Sequence, residues 1–376
     1  MDLKIHRSIQ EIDEAHWDSL LQPNDSPFFR YAFLRGLEIS GAATPHTGWH
    51  PRFVCLYDGV ALRAALPLYR KDHSYGEYIF DWSWADAAHR VGLPYYPKLV
   101  SMAPFSPVGG RCFLGHDSYL QVCRRPLLAA ALNMLESEPA TGLHLLYIGQ
   151  EEAAFLEASG VSIRHSFQYQ WKNDGYGSFD DFLGRFRSKR RAQIRRERKL
   201  VKAAGVSTRL VRGHEATDAE VDAMWSFYAS TVDQFQYSQR YLNRDFFLQV
   251  KESMGEDLLF LFAEKDGQII AGTFNLLKNG VFYGRYWGCR EQVPFLHFEM
   301  CCYAPVEYAI ERDWIRVEAG AGGSHKMGRG FLPTTIRSAH ELRLPGLREA
   351  VDQFIEHERA SLDAQINVAQ GWVFKD

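Results

Sequence analysis

The chain of 376 residues is poor in cysteine, has no long apolar run and carries almost no net charge. Its six cysteines are Cys55, Cys112, Cys123, Cys289, Cys301 and Cys302. None forms Cys-x-x-Cys, and the neighbours Cys301 and Cys302 cannot bridge each other without strain. Reduced core thiols of a cytoplasmic chain are therefore expected, not a disulfide framework. The longest apolar stretch, Leu127 to Leu135, contains Asn133 and is far shorter than the roughly 20 residues of a membrane-spanning helix. Met1 to Arg7 holds no apolar segment, so no secretory signal is expected. His46 and His50 lie four apart, but no further ligand set follows them, and no metal is expected. With 46% hydrophobic and 24% charged residues, the composition excludes a disordered chain, a coiled coil and a collagen-like repeat.

The formal net charge of −3 hides one local extreme. Arg185 to Lys202 holds ten Lys or Arg and a single Glu, a net of +9, so the rest of the chain carries −12. An acidic body with one strongly basic segment needs a functional account. At about 150 residues per domain, the length suggests two domains.

Hydrophobic periodicity supports that division. In the first half, strand Leu3–Arg7 precedes helices over 11–21 and 28–40. Phe53–Tyr57, Asp58-Gly59 and Val60–Tyr69 read as strand, tight turn, strand. Strands over 78–82 and 95–102 flank a helix over 83–91. A long helix over 120–136, a strand over 143–148, a short helix over 151–158 and a strand over 161–170 complete the half. In the second half, strand Val206–Val211 precedes helices over 218–235 and 240–254. A hairpin on Asp266-Gly267 follows, then another on Asn279-Gly280, whose second strand is Val281–Trp287. A helix over 295–311 and a strand over 315–318 end the series. Both halves thus read β-α-α-β-β-β-α-β, with an Asp-Gly turn at the same place. A repeat of this length implies two copies of one domain, over 1–170 and 171–376. The fold class is α/β (α+β), each copy having a mixed, mostly antiparallel central sheet flanked by helices.

Short strings along nearly the whole chain resemble one family. They include Tyr75-Gly76-Glu77-Tyr78 with Phe80-Asp81-Trp82, Tyr95-Tyr96-Pro97-Lys98-Leu99, and Pro104-Phe105-Ser106-Pro107-Val108-Gly109-Gly110-Arg111. In the second half they include Lys189-Arg190-Arg191 through Arg198, Gly284-Arg285-Tyr286-Trp287-Gly288, Leu296-His297-Phe298-Glu299, and Glu318-Ala319-Gly320 through His325-Lys326. On these strings the chain is similar to the bacterial FemAB-like group of N-acyltransferases, associated with peptidoglycan biosynthesis or recognition. The resemblance implies tandem acetyltransferase-like (GNAT) domains and acyl transfer to an amine. In the wider Fem group the donor is aminoacyl-tRNA. One departure concerns mechanism. Where the family carries Gly-Glu-His-Lys, this chain has Gly323-Ser324-His325-Lys326; if that Glu is the family's general base, this chain needs another.

Acyl transfer to an amine requires a base, oxyanion stabilisation and a grip on the leaving group. The segment Glu318 to Arg329 is the richest candidate. Its Gly320, Gly322 and Gly323 suit a turn that aims several backbone N–H groups at one anion. His325 and Glu318 are the leading acid/base candidates, with Lys326 and Arg329 able to neutralise a phosphate or carboxylate. The alternative is a surface turn with a solvated basic edge. His297 and Glu299 fall near a helix start, where Glu299 is either a site residue or a helix-dipole partner. Arg285 and Trp287 alternate on a strand and so share one face, which suits a carboxylate with an apolar group or plain core packing. In the first half, Asp81, Trp82, Trp84, Lys98 and Arg111 form either a polar, aromatic-walled acceptor pocket or ordinary packing. No Arg/Gln-x-x-Gly-x-Gly/Ala string, which cradles a coenzyme pyrophosphate, occurs at the expected place in either half. No tightly bound cofactor is expected; the co-substrate is acyl-CoA or aminoacyl-tRNA.

The basic segment reads as one helix over about 179–204, with Phe182, Phe186, Ile194 and Val201 as an interrupted apolar stripe. Arg190 and Glu197 share that face, so an ion pair between them is expected. Lys189, Arg190, Arg191, Arg195, Arg196, Arg198 and Lys199 form either a solvated helix or a phosphate-backbone contact, with tRNA as the partner the resemblance supplies. The expected activity is N-acyl transfer to an amine of a small molecule or cell-wall precursor. The alternative is a non-catalytic module that holds RNA or another polyanion.

Overall fold

The computed structural model describes residues 1–234 and 239–374. In chain order the strands and helices begin with β1 (Asp2–His6), α1 (Glu14–Asp18), α2 (Tyr31–Ile39), β2 (Trp49–Asp58), β3 (Ala61–Lys71) and α3 (Trp82–Arg90). Then come β4 (Lys98–Ser101), β5 (Leu114–Gly115), α4 (Asp117–Ser137), β6 (Gly142–Ile148), α5 (Gln150–Ala158) and β7 (Ser162–Lys172). The second half holds α6 (Phe179–Gly184), α7 (Ser188–Ala203), β8 (Ser207–Arg212), α8 (Asp218–Val232), α9 (Arg244–Met254), β9 (Leu258–Lys265), β10 (Gln268–Lys278) and β11 (Val281–Cys289). A helix follows as α10 (Leu296–Phe298), a π-helical turn (Glu299–Tyr303) and α11 (Ala304–Glu311); β12 (Arg316–Glu318), β13 (Leu332–Leu342) and α12 (Pro345–Val373) complete the chain.

These elements build two compact units, each discontinuous in sequence. The first joins Met1–Ser166 to Thr335–Asp363; the second joins Phe167–Thr334 to the residues from Ala364 on. The expected boundary at residue 170 falls inside β7, and β13 and α12 lie outside the elements expected from the pattern.

The first unit orders its strands β1-β2-β3-β4-β6-β13, with β4 and β6 parallel and the other neighbours antiparallel. Leu120, Cys123, Leu127, Ala131 and Met134 form the apolar stripe of α4 and bury it against Val54, Leu66 and Leu145, the spacing of a helix on a sheet. The strand expected over 78–82 is not formed. The chain turns there instead, sending Glu77 and Asp81 inward to buried lysines, and α3 starts at Trp82.

The second unit repeats the plan as β7-β12-β11-β10-β9-β8, with β11 and β12 parallel. The Thr217–Glu220 capping box starts α8: Thr217 Oγ1 accepts from the Glu220 N–H, and Glu220 accepts from the Thr217 N–H. The expected end of that helix at Phe235 lies outside the described residues. Gly288 lets α8 lie directly on β11, since a Cβ there would sit 1.9 Å from the Phe227 carbonyl oxygen. The helix expected over 179–204 is two helices. The chain breaks at Arg185–Arg187, where Phe186 turns into the core and bridges Phe374.

Candidate active site

The site of the second unit begins where two parallel strands part. The β11–β12 ladder runs only from Val281↔Arg316 to Tyr283↔Glu318. Beyond Tyr283, β11 continues to Cys289 against β10 alone. At the parting point β11 carries a bulge: Asn275 pairs with Gly284 and Phe274 with Tyr286, leaving Arg285 as the extra residue. A bulge breaks side-chain alternation and re-aims the residue it holds, so the expected shared face of Arg285 and Trp287 does not follow. Arg285 turns to the end of β12, with Nη2 3.5 Å from Glu318 Oε2. Burial pulls its guanidinium below the usual range, against the attraction of Glu318. Glu318 is itself buried and committed to a second ion pair with Arg316 at 3.1 Å.

The chain leaves β12 through a turn in which Gly320, Gly322 and Gly323 all have positive φ, from +69° to +88°. Lys326 is buried behind this turn and has no carboxylate partner among the described residues. Its Nζ donates to the carbonyls of Ala319 (2.7 Å), Gly320 (3.0 Å) and Ala321 (3.4 Å). Burial lowers its pKa to about 8. A trans peptide sets each N–H opposite the preceding C=O. The N–H groups of Gly320, Ala321 and Gly322 therefore point away from the lysine. Among the described residues none of them has a hydrogen-bond acceptor. The turn lies against the bulge, an added Gly320 Cβ being 3.5 Å from the Gly284 carbonyl oxygen. Lys326 thus shapes a row of free donors, where the sequence suggested a direct anion contact.

Two histidines flank the turn. The rings of His297 and His325 are 5.6 Å apart, and Trp287 meets His297 at 5.4 Å. Burial, with the nearby His325, Lys326 and Arg329, lowers His297 to about 4. His325 is more exposed and also shifted down, by partial burial and then by Lys326 and Arg329. Both rings are neutral at pH 7, as a proton acceptor must be. Arg329 reaches inward: it covers the Phe298 ring at 3.2 Å and holds buried Glu197 at 3.0 and 3.1 Å. Tyr303 Oη donates to the same carboxylate. Glu197 therefore does not pair with Arg190, which bonds Gln193 at 2.8 Å; it ties α7 to the π-turn and to the segment Ser324–Arg329 instead.

Glu299 is turned to other company. Arg198 binds it at 2.9 Å and Glu307 at 2.6 Å. Burial raises the Glu299 pKa, and the Arg198 partner opposes that shift. Arg195 pairs with Asp180. Lys189, Arg191, Arg196 and Lys199 have no ion pair or hydrogen bond among the described residues.

In the first unit the candidates separate. Asp81 and Lys98 come together in the interior, Lys98 also binding Glu77 and Ser74 at 2.8 Å each. Lys71 completes the cluster, 3.0 Å from Glu77 and 3.5 Å from the centre of the Trp49 ring. Trp84 is core, packed on His340 and under Arg164. Trp82 lies exposed against Tyr75. Arg111 ties Asp25 and Asp117. Moreover, the strand opening seen beyond Tyr283 is filled here: Gly110 forms a parallel bridge with Ile148, its N–H donating to the Tyr147 carbonyl at 2.9 Å.

The residues absent from the sequence-based candidates are Glu197, Arg316 and Tyr303 in the second unit. Glu197 did leave a signal, as the single acid in the basic run. The bulge at Arg285 left none.

Each unit has the acetyltransferase-like plan: a meander of strands, then a helix, then a parallel strand that parts from its neighbour. The chain belongs to the FemAB-like family of peptidoglycan biosynthesis/recognition proteins, whose model matches residues 8–375. It is an acyl- or aminoacyl-transferring enzyme. Among solved structures the chain is similar to FemX, with 12% identity and a TM-score of 0.54 over 94% of this chain and 100% of that one. The C-terminal DUF2156 domain of a proposed lysylphosphatidylglycerol synthetase from Agrobacterium fabrum matches with 11% identity and a TM-score of 0.53, over 93% and 97% of the two chains. A conserved protein of unknown function from Bacteroides thetaiotaomicron VPI-5482 gives 12% and 0.51, over 90% and 99%. These likenesses establish the fold. The chain matches none of the curated proteins compared with it. Among the described residues no helix is long and apolar enough to cross a membrane.

Proposed function

We propose that the chain moves an aminoacyl group from aminoacyl-tRNA to an amine of a cell-wall precursor, with the chemistry at the parted strands of the second unit. The observation that carries this reading is the row of three backbone N–H groups, Gly320 to Gly322, held outward by buried Lys326. Such donors suit the oxyanion that forms when an amine attacks an ester carbonyl. His325, neutral and exposed beside them, takes the proton from the attacking amine and passes it to the leaving hydroxyl. The first unit offers no comparable opening, because Gly110 fills it.

Two features support tRNA over acyl-CoA as the donor. No pyrophosphate-cradling string precedes α10, whose N-cap is Phe295 in a left-handed conformation. On α7, Lys189, Arg191 and Arg196, which have no ion pair or hydrogen bond among the described residues, are free to neutralise phosphates. Family membership supports the cell-wall acceptor. The test is a panel in which purified protein, a cell-wall precursor amine and either charged tRNA or acyl-CoA are combined and amide product is measured. Product from charged tRNA alone is expected. Product from acyl-CoA alone would overturn the donor, and product from neither the whole reading.

A further inference from the structure

An open cavity of about 780 Å³ lies on the second unit and shares no lining residue with the glycine-rich turn or β11. Its floor is apolar, formed by Phe179, Leu183, Val201 and Val206. Charged groups crowd its walls, and their pairing decides what the cavity can hold. Each carboxylate there is already engaged: Asp180 by Arg195 at 2.8 Å, Glu299 and Glu307 by Arg198 at 2.9 and 2.6 Å. Lys199 and Lys202 are exposed, line the cavity, and have no ion pair or hydrogen bond among the described residues. They lie three apart on α7, where like charges repel. The groups left over are thus two ammoniums above an apolar floor, with the hydroxyl-bearing Ser207 and Thr208 beside them.

We propose that this cavity binds a phosphate monoester carried on an apolar group. A phosphate monoester has about two negative charges at pH 7, matching the two free ammoniums, and its apolar group covers the Phe179–Val206 floor. The ester belongs to a soluble phosphorylated metabolite or to a lipid headgroup, which present the same chemistry. The proposal is independent of the transfer reaction.

The test is titration calorimetry of the full chain with hexyl phosphate. Saturable binding is expected, at least tenfold weaker in the double variant Lys199→Ala/Lys202→Ala. Hexanol and inorganic phosphate, each carrying half of the recognition, should also bind at least tenfold more weakly. Both lysines are exposed, so the variant should fold, which circular dichroism checks. Lys4→Ala/Arg7→Ala, which removes the same charge from the first unit, should leave binding unchanged. Retention on vesicles of phosphatidic acid in phosphatidylcholine, lost in the Lys199/Lys202 variant, would assign a lipid source. Binding of hexyl phosphate without such retention would assign a soluble one. Equal binding by wild type and the Lys199/Lys202 variant, or no binding at all, would overturn the proposal.

Discussion

The Nδ1 atoms of His144 and His340 face each other at 2.7 Å in the interior of the first unit. One ring must donate and the other accept, so the pair cannot be doubly protonated. The remaining contacts assign the tautomers. His340 Nε2 is 2.7 Å from Ser338 Oγ, whereas His144 Nε2 has no partner among the described residues. An orphan lone pair costs less than an orphan N–H. His144 therefore donates through Nδ1, and His340 donates through Nε2. Trp84, Tyr95, Lys98 and Asp81 surround the pair.

This pair predicts acid sensitivity. Burial lowers His144 to about 3 and His340 far below its usual value, and Lys98 adds to both shifts. In the unfolded chain both titrate near about 6.5. Below that pH the unfolded state binds protons that the folded state refuses, so stability falls as pH drops from about 6.5 toward 3. The limiting loss is about 1.4 kcal/mol per pH unit for each ring. Urea midpoints at pH 7.5 and 5 should differ more in wild type than in His144→Leu/His340→Leu. Identical pH dependence would show that the rings are not buried neutral.

The four charges of Lys71, Lys98, Glu77 and Asp81 are all buried, and Lys98 is the one that touches both acids. Lys98→Met should cost about 3–5 kcal/mol, because breaking a buried pair strands the partner's charge. Lys71 cannot replace it, since its Nζ is spent on Glu77 and the Tyr75 carbonyl. A loss below about 1 kcal/mol in urea unfolding, the range of an exposed pair, would mean that the cluster is solvated.

Local chemistry made the repeated hairpins legible in sequence. Asp266-Gly267 and Asn279-Gly280 adopt the positive φ that such turns need. That the glycine turn and the two histidines of the candidate site lie together was legible from their residue types. Pairings set by distant chain were not. Nothing near residues 335–342 announces that they join β6 of the first unit. Nor does Lys98 carry a sign of Glu77, which it meets through a turn that pattern alone reads as strand. Residue types marked Arg329 as an anion binder. Its anion is Glu197, brought to it by the packing of α7.

Glu197 and Arg329 should behave as one unit. Each is buried, and each side chain faces the other's charge. Glu197→Ala or Arg329→Ala alone should destabilise by about 3–5 kcal/mol. The double variant should lose less than the sum of the singles, with a coupling of about 0.5–3 kcal/mol. Additive losses in a double-mutant cycle would remove the pair from the account of how the turn is held.

Under the proposed transfer mechanism, Lys326 and His325 together predict a bell-shaped rate against pH. The acidic limb belongs to His325, which accepts a proton only when neutral. Its pKa is shifted down by burial, Lys326 and Arg329, so this limb should fall below pH 6.5. The alkaline limb belongs to Lys326, whose pKa of about 8 is the point where it loses one of the three protons that hold Ala319, Gly320 and Ala321. Losing that donor frees a carbonyl and lets the N–H row turn, so transfer should slow above pH 8 with little change in substrate binding. Lys326→Met should abolish the alkaline limb and lower kcat by about 100-fold or more, the usual cost of losing oxyanion donors. His325→Ala should remove the acidic limb while leaving the urea midpoint near wild type, because the ring is exposed. A Lys326→Met enzyme that keeps the wild-type alkaline limb would show that another group titrates there and that the lysine serves only the fold.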